Sequence, residues 1–153
     1  MEEKTTSTLT SILQKSSPDN IDIYFSENEN EILKTNRPFA TYMRSLFRKK
    51  GIRQQEVFLA ADISEGYGYK IIGEEKRTRH RDLILRLCLA AKFTLDETQR
   101  ALKIYGMSPL YPRIRRDAVL IVAINTGVYE VSAVDEMLQK YEFEPLYSCS
   151  DLD

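Results

Sequence analysis

Histidine occurs once in these 153 residues, at His80, and cysteine twice, at Cys88 and Cys149. One histidine and two distant cysteines supply neither a disulfide framework nor a zinc ligand set. Cys88 sits in the apolar run LILRLCLAA and is expected as a reduced, buried thiol. Glycine is scarce, with six in all. Gly66, Gly68 and Gly73 lack both the preceding strand and the Lys-Ser/Thr pair of a phosphate-binding loop. No Ser/His/Asp or Cys/His constellation has supporting context. No catalytic residue, metal or cofactor is therefore assigned. The longest apolar run, Ala118 to Ile124, is far short of the roughly 20 residues that a membrane span needs. The start, MEEKTTST, has no basic patch and no apolar signal core, so a cytoplasmic protein without membrane association is expected.

A net charge of −1 hides a strong asymmetry. Residues 1–36 carry 3 basic and 7 acidic side chains, and residues 37–92 carry 13 and 6. Residues 93–116 carry 5 and 2, whereas residues 117–153 carry 1 and 8. A basic middle can supply a phosphate footprint. The acidic ends could cover that middle, bind a partner or aid solubility.

Apolar periodicity is helical along most of the chain. Residues 1–6 read as disordered, and Leu9, Ile12 and Leu13 support a short helix from Ser7 to Lys15. Pro18 to Asn28 reads as a second helix, although the alternation in IDIYF suits a strand equally well. From Pro38, Phe39, Tyr42, Met43, Leu46 and Phe47 fall on one helical face. Gly51, behind Arg48-Lys49-Lys50, marks its stop. Further helices are expected at Gln54 to Ala61, Glu65 to Ile72 and Asp82 to Ala91. Another, from Leu95 to Tyr105, opens on the capping box Thr94/Glu97. After the connector Ser108 to Pro112 come Arg113 to Asn125 and Val131 to Tyr141. The former is too apolar for an exposed element, so it belongs in the interior or at a dimer interface. Asp117 is expected in an intramolecular ion pair.

The segment from Gln54 to Ile72 has the marks of two helices joined by a tight turn. Gln54 and Gln55 open the first helix, and Val57 and Ile63 plug the junction. Ser64 can cap the second helix. Ile71 and Ile72 anchor that helix, leaving Glu65, Tyr67, Gly68 and Lys70 outward and Tyr69 half in the core. Such a pair can place its second helix in a DNA major groove while the first crosses the backbone.

The stretch GIRQQEVFLAADISEGYGYKIIGEEKRTRHRDLILRLCLAAKFTLDETQRAL resembles the Cro/phage-repressor (XRE) helix-turn-helix family. Ile52, Gln55-Glu56-Val57, Ile63-Ser64, the basic loop from Lys76 to Arg81 and the helix Leu83 to Ala91 carry the likeness. Tyr67-Gly68-Tyr69, Pro109 to Pro112 and Arg115-Arg116-Asp117 resemble a Firmicutes branch with an added C-terminal helical module. The resemblance implies an all-α fold: a five-helix repressor-like domain with extra N- and C-terminal helices. It divides the chain into an acidic arm (1–36), a helix-turn-helix domain (37–106), a helical pair packed on it (107–145) and a flexible tail (146–153). Phe58 departs from the family, which prefers a small residue there. Asp62 departs too, standing where the turn wants glycine and φ > 0.

These features imply a DNA-binding transcriptional regulator acting on double-stranded DNA, expected as a homodimer. Ser64, Glu65, Tyr67 and Lys70 are its candidate base contacts. Arg53, Gln54, Lys76, Arg77, Arg79, His80 and Arg81 are its candidate phosphate contacts. The presumed recognition helix holds no Arg, Asn or Gln, the usual bidentate base readers. A protein-interaction adaptor on the same scaffold, without DNA reading, therefore stays open.

Overall fold

The computed structural model describes residues 4–29 and 37–148, and all regular structure among them is α-helical. The sequence expectations that fall on 1–3, 30–36 and 149–153, Cys149 included, lie outside those residues. The chain divides into two compact units, 1–36 and 37–153.

In the first unit, α1 (Thr6–Gln14) starts where Thr5 accepts the Thr8 amide at 3.1 Å. Thr5 and Thr6 thus form the helix start, where disorder was expected. The stretch IDIYF is helical, as α2 (Ile21–Glu27), and the strand alternative falls away. This helix begins three residues after Pro18, and Tyr24 is its buried anchor.

The second unit holds seven described helices: α3 (Pro38–Lys50), α4 (Gln54–Ala61), α5 (Glu65–Ile72), α6 (Arg81–Ala90), α7 (Leu95–Tyr105), α8 (Arg115–Asn125) and α9 (Val131–Lys140). Local chemistry sets their ends. Gly51 and Gly106 take the left-handed conformation that closes a helix, at φ 67° and 88°. Thr94 and Glu97 make both halves of the capping box. Asp62 adopts φ 54° between α4 and α5, a conformation that a short polar side chain tolerates. Gly73 ends α5 with ordinary backbone, and Glu74 takes the positive φ instead.

One core runs through the unit. Helix α6 is its axle, packed on α4, α7 and α9, while α3 packs on α5 and α7. Leu83, Ile84, Leu85 and Leu87 are fully buried, as is Cys88 to within 1%; burial pushes its thiol pKa far up. Each such aliphatic side chain contributes roughly 1.5–3 kcal/mol on leaving water.

Long-range contacts correct one sequence expectation and add two features to it. Leu146 is buried, and Tyr147 stacks on His80 at 3.7 Å, so the tail does not begin at 146. Arg86, placed among leucines, is itself buried and donates to the carbonyls of Ala61 (3.0 Å), Leu146 (3.0 Å) and Tyr147 (2.6 Å). Arg116 adds bonds to both Asp82 oxygens and to the carbonyls of Glu144 and Pro145. The 144–148 segment is thereby strapped across α6 and α8. Asp117 is buried in the expected intramolecular ion pair, with Arg81, 36 residues upstream, as its partner.

Candidate nucleic-acid interface

Helix α3 presents Arg44 and Arg48, spaced i and i+4, on one side of the helix. Past Gly51 the chain turns through Ile52 and Arg53 into α4. Arg44, Arg48, Arg53, Gln54, Gln55 and Tyr69 line an open cleft of about 360 Å³, with Phe47 and Ile52 as its apolar wall. The lining holds no carboxylate. Arg44, Arg48 and Arg53 have no hydrogen-bond or ion-pair partner among the described residues. Arg53 stands at the N-cap of α4 without making a side-chain cap, so the first-turn amides keep their partial positive charge. Gln54 is half-buried, and its Oε1 is fully buried without a partner.

The turn holds α4 and α5 through side chains as well as backbone. The Ile63 amide donates to Phe58 O at 3.0 Å, and Gln55 Nε2 donates to Glu65 Oε1 at 2.9 Å. Ser64 occupies the N-cap position of α5, but its side chain makes no capping bond; its hydroxyl stays exposed. Lys70 is exposed with no side-chain partner among the described residues.

The two tyrosines exchange the roles that the sequence suggested. Tyr67 is half-buried and packs on the core. Tyr69 is 38% exposed, lines the cleft and meets the Phe58 ring edge-on at 5.0 Å between centroids. Gly68, expected outward, is buried.

The basic loop divides. Lys76 and Arg79 are exposed and have no side-chain partner among the described residues. Arg77 instead lies over the Tyr105 ring at 4.5 Å and donates to the Tyr105 carbonyl. His80 is stacked flat on Tyr147, with 8° between the planes. Arg81 forks onto Asp117 and reaches the carbonyls of Ser108 and Pro109 at 3.4 Å. Three of the five basic or histidine candidates in the loop are therefore committed to internal contacts. Thr78, between them, is buried, and its amide donates to the Tyr105 hydroxyl at 2.8 Å.

Sequence reasoning passed over Arg44 and set Tyr69 half in the core. A signal for Arg44 was present: it lies one turn before Arg48 on the polar side of an amphipathic helix. Nothing local marked Tyr69, whose exposure depends on what fills the space beneath it. No family model, curated protein or solved structure matches this chain.

Proposed function

We propose that this protein binds double-stranded DNA as a regulator of transcription, with α4 and α5 as the two arms of a helix-turn-helix. The observation that carries the proposal is the cleft of arginines, without a partner among the described residues, beside the uncapped start of α4. Unpaired guanidiniums without a carboxylate nearby suit a phosphodiester, which accepts two parallel bonds from a planar fork. Free amides at a helix start add to the same attraction. Arg44, Arg48 and Arg53 are the backbone contacts in this proposal, helped by Gln54, Lys76 and Arg79. Ser64, Tyr69 and Lys70 are left to meet base edges or the sugar–phosphate chain. Glu65 is engaged by Gln55, and α5 lacks Arg, Asn and Gln, so affinity is expected to rest mainly on the backbone and to vary little with sequence.

Fluorescence anisotropy with a labelled duplex, repeated over a range of salt, tests this. Wild-type protein is expected to bind, with log affinity falling linearly in log salt. Arg48→Ala and Arg53→Ala should each reduce the slope by about 0.9. Absence of binding at low salt overturns the proposal. The poverty of base readers on α5 favours the adaptor reading instead, and that same absence of binding is what it requires.

A further inference from the structure

Two segments of the chain are held by the same set of bonds. Ser108-Pro109-Leu110-Tyr111 follows α7, and Glu144-Pro145-Leu146-Tyr147 follows α9. At the start of α6, Arg81 donates to the carbonyls of Ser108 and Pro109. At the start of α8, Arg116 donates to those of Glu144 and Pro145. The Tyr111 amide donates to Asp117 at 2.9 Å, and the Tyr147 amide to Asp82 at 3.0 Å. Each aspartate is paired with the arginine of the other helix, Asp117 with Arg81 and Asp82 with Arg116. On α7, Gln99 accepts the Leu110 amide at 2.7 Å; on α9, Asp135 accepts the Leu146 amide at 2.8 Å. Both leucines are buried. The hairpins α6–α7 and α8–α9 thus carry the same seat for an extended Pro-Leu-Tyr segment, each completed by an aspartate of the other hairpin.

We propose that the second seat, built by His80, Asp82, Arg86, Arg116 and Asp135, is a peptide-binding site. It takes an extended Pro-Leu-aromatic segment of a partner protein in place of the chain's own 144–148. Recurrence supports this: the same bonds hold Pro-Leu-Tyr twice, in different surroundings. They run to the main chain, so they read any extended peptide, and the side-chain positions select. The leucine fills the buried position, and the aromatic ring lies flat on His80. Proline favours the extended form and brings no amide that needs an acceptor. Exposed Arg79 beside His80 favours an acidic residue after the aromatic one. The two seats also differ in their hold on the chain's own segment. The first is entered through Gly106, at φ 88°, but the second through Glu142, at φ 65°, where glycine is preferred. The Asp82–Arg116 pair and the bond from Arg86 to Ala61 involve no residue of 144–148, so the second seat is largely formed without it. Through Ala61, the last residue of α4, Arg86 also joins the occupant of the seat to the turn between α4 and α5.

The proposal does not depend on DNA binding, and its test uses no DNA. The probe is a labelled synthetic peptide, Phe-Glu-Pro-Leu-Tyr-Ser, copied from residues 143–148 and followed by fluorescence anisotropy with the full chain. In the wild type the tethered segment competes at an effective concentration of roughly millimolar, so the peptide binds weakly. Leu146→Asp expels that segment and should raise peptide affinity about tenfold or more. The same peptide with aspartate for its leucine should not bind. Adding Arg86→Met to Leu146→Asp removes two charge-assisted bonds to the peptide and should weaken binding about tenfold or more. Should Leu146→Asp fail to fold, as circular dichroism would show, Tyr147→Ala takes its place under the same criteria, since it removes only a half-buried ring. A folded variant that binds the peptide no better than the wild type overturns the proposal. So does equal binding of the aspartate peptide, or binding that Arg86→Met leaves unchanged.

Discussion

Gly68 lies flat against the ring of Phe58: a Cβ placed on Gly68 would stand 2.5 Å from Phe58 Cδ1 and 2.6 Å from Cε1. The large residue on α4 and the missing side chain on α5 are one solution to one close helix approach. Two features that look unfavourable in isolation, a bulky residue at a tight crossing and a glycine within a helix, explain each other.

Gly68→Ala should therefore destabilise the protein, although alanine is the better helix former by about 1 kcal/mol. Overpacking of this kind costs typically 1–3 kcal/mol. In a Phe58→Ala background the same change should be neutral or stabilising. Urea unfolding of the four proteins of this cycle measures the coupling. Additive effects would mean that the ring moves aside freely.

Arginines of the loop and of the cleft should separate in their behaviour. Arg81→Ala leaves the Asp117 carboxylate, only 1% exposed, without its cation. Removing one partner of a buried pair costs about 3–5 kcal/mol. Arg77→Ala loses the Tyr105 contacts and should also lower the melting temperature. Neither is expected to change the salt slope of DNA binding by as much as Arg48→Ala or Arg53→Ala. Thermal denaturation and anisotropy on the same four variants give the comparison. A large slope change from Arg77 would restore the loop as the main phosphate contact.

Acid should unfold the protein partly through Asp82. Burial tends to raise its pKa, but hydrogen bonds from Arg116 and from the Tyr147 amide outweigh this and hold it below the ordinary 3.8. Glu97 behaves alike: burial raises it, and the Lys50 ammonium at 2.9 Å with the Thr94 amide brings it below 4.5. A carboxylate depressed in the folded state adds stability above its unfolded pKa. That stability disappears as pH falls through the folded value. Urea midpoints should hold from neutral pH down to about 4.5 and decline below it. Asp82→Asn should lower the neutral midpoint and flatten the acid decline. An unchanged acid limb would show that the Asp82–Arg116 pair contributes nothing to it.

The strap at 144–148 should matter more than its place near the end of the chain suggests. Arg86→Met keeps the apolar stem but removes three bonds to carbonyls of Ala61, Leu146 and Tyr147. Those carbonyls lose their donor, and an orphaned buried acceptor costs about 1–3 kcal/mol. Leu146→Ala should cost about 2–5 kcal/mol by opening a cavity. Faster amide exchange at the C-terminal end of α4 in Arg86→Met would report the loosened contact with Ala61.

Much of the backbone was determined by the sequence alone. The apolar spacing from Phe39 to Phe47, the capping box at Thr94 and Glu97 and the glycines at 51 and 106 act within a turn of helix. The ends of α4, α5 and α7 accordingly lie where local pattern puts them. So does the positive φ of Asp62. Each of these is a short-range effect, complete within a few residues.

Tertiary structure decided which charges are free. Arg77, His80 and Arg81 resemble Lys76 and Arg79 in sequence, but Tyr105, Tyr147 and Asp117 engage them from 28, 67 and 36 residues away. Arg44, Arg48 and Arg53 meet no such partner among the described residues, and only the packing of α3 against α5 sets them around one cleft with Tyr69. A charge becomes available to a ligand when the fold brings it no carbonyl or carboxylate, and that is a property of distant residues.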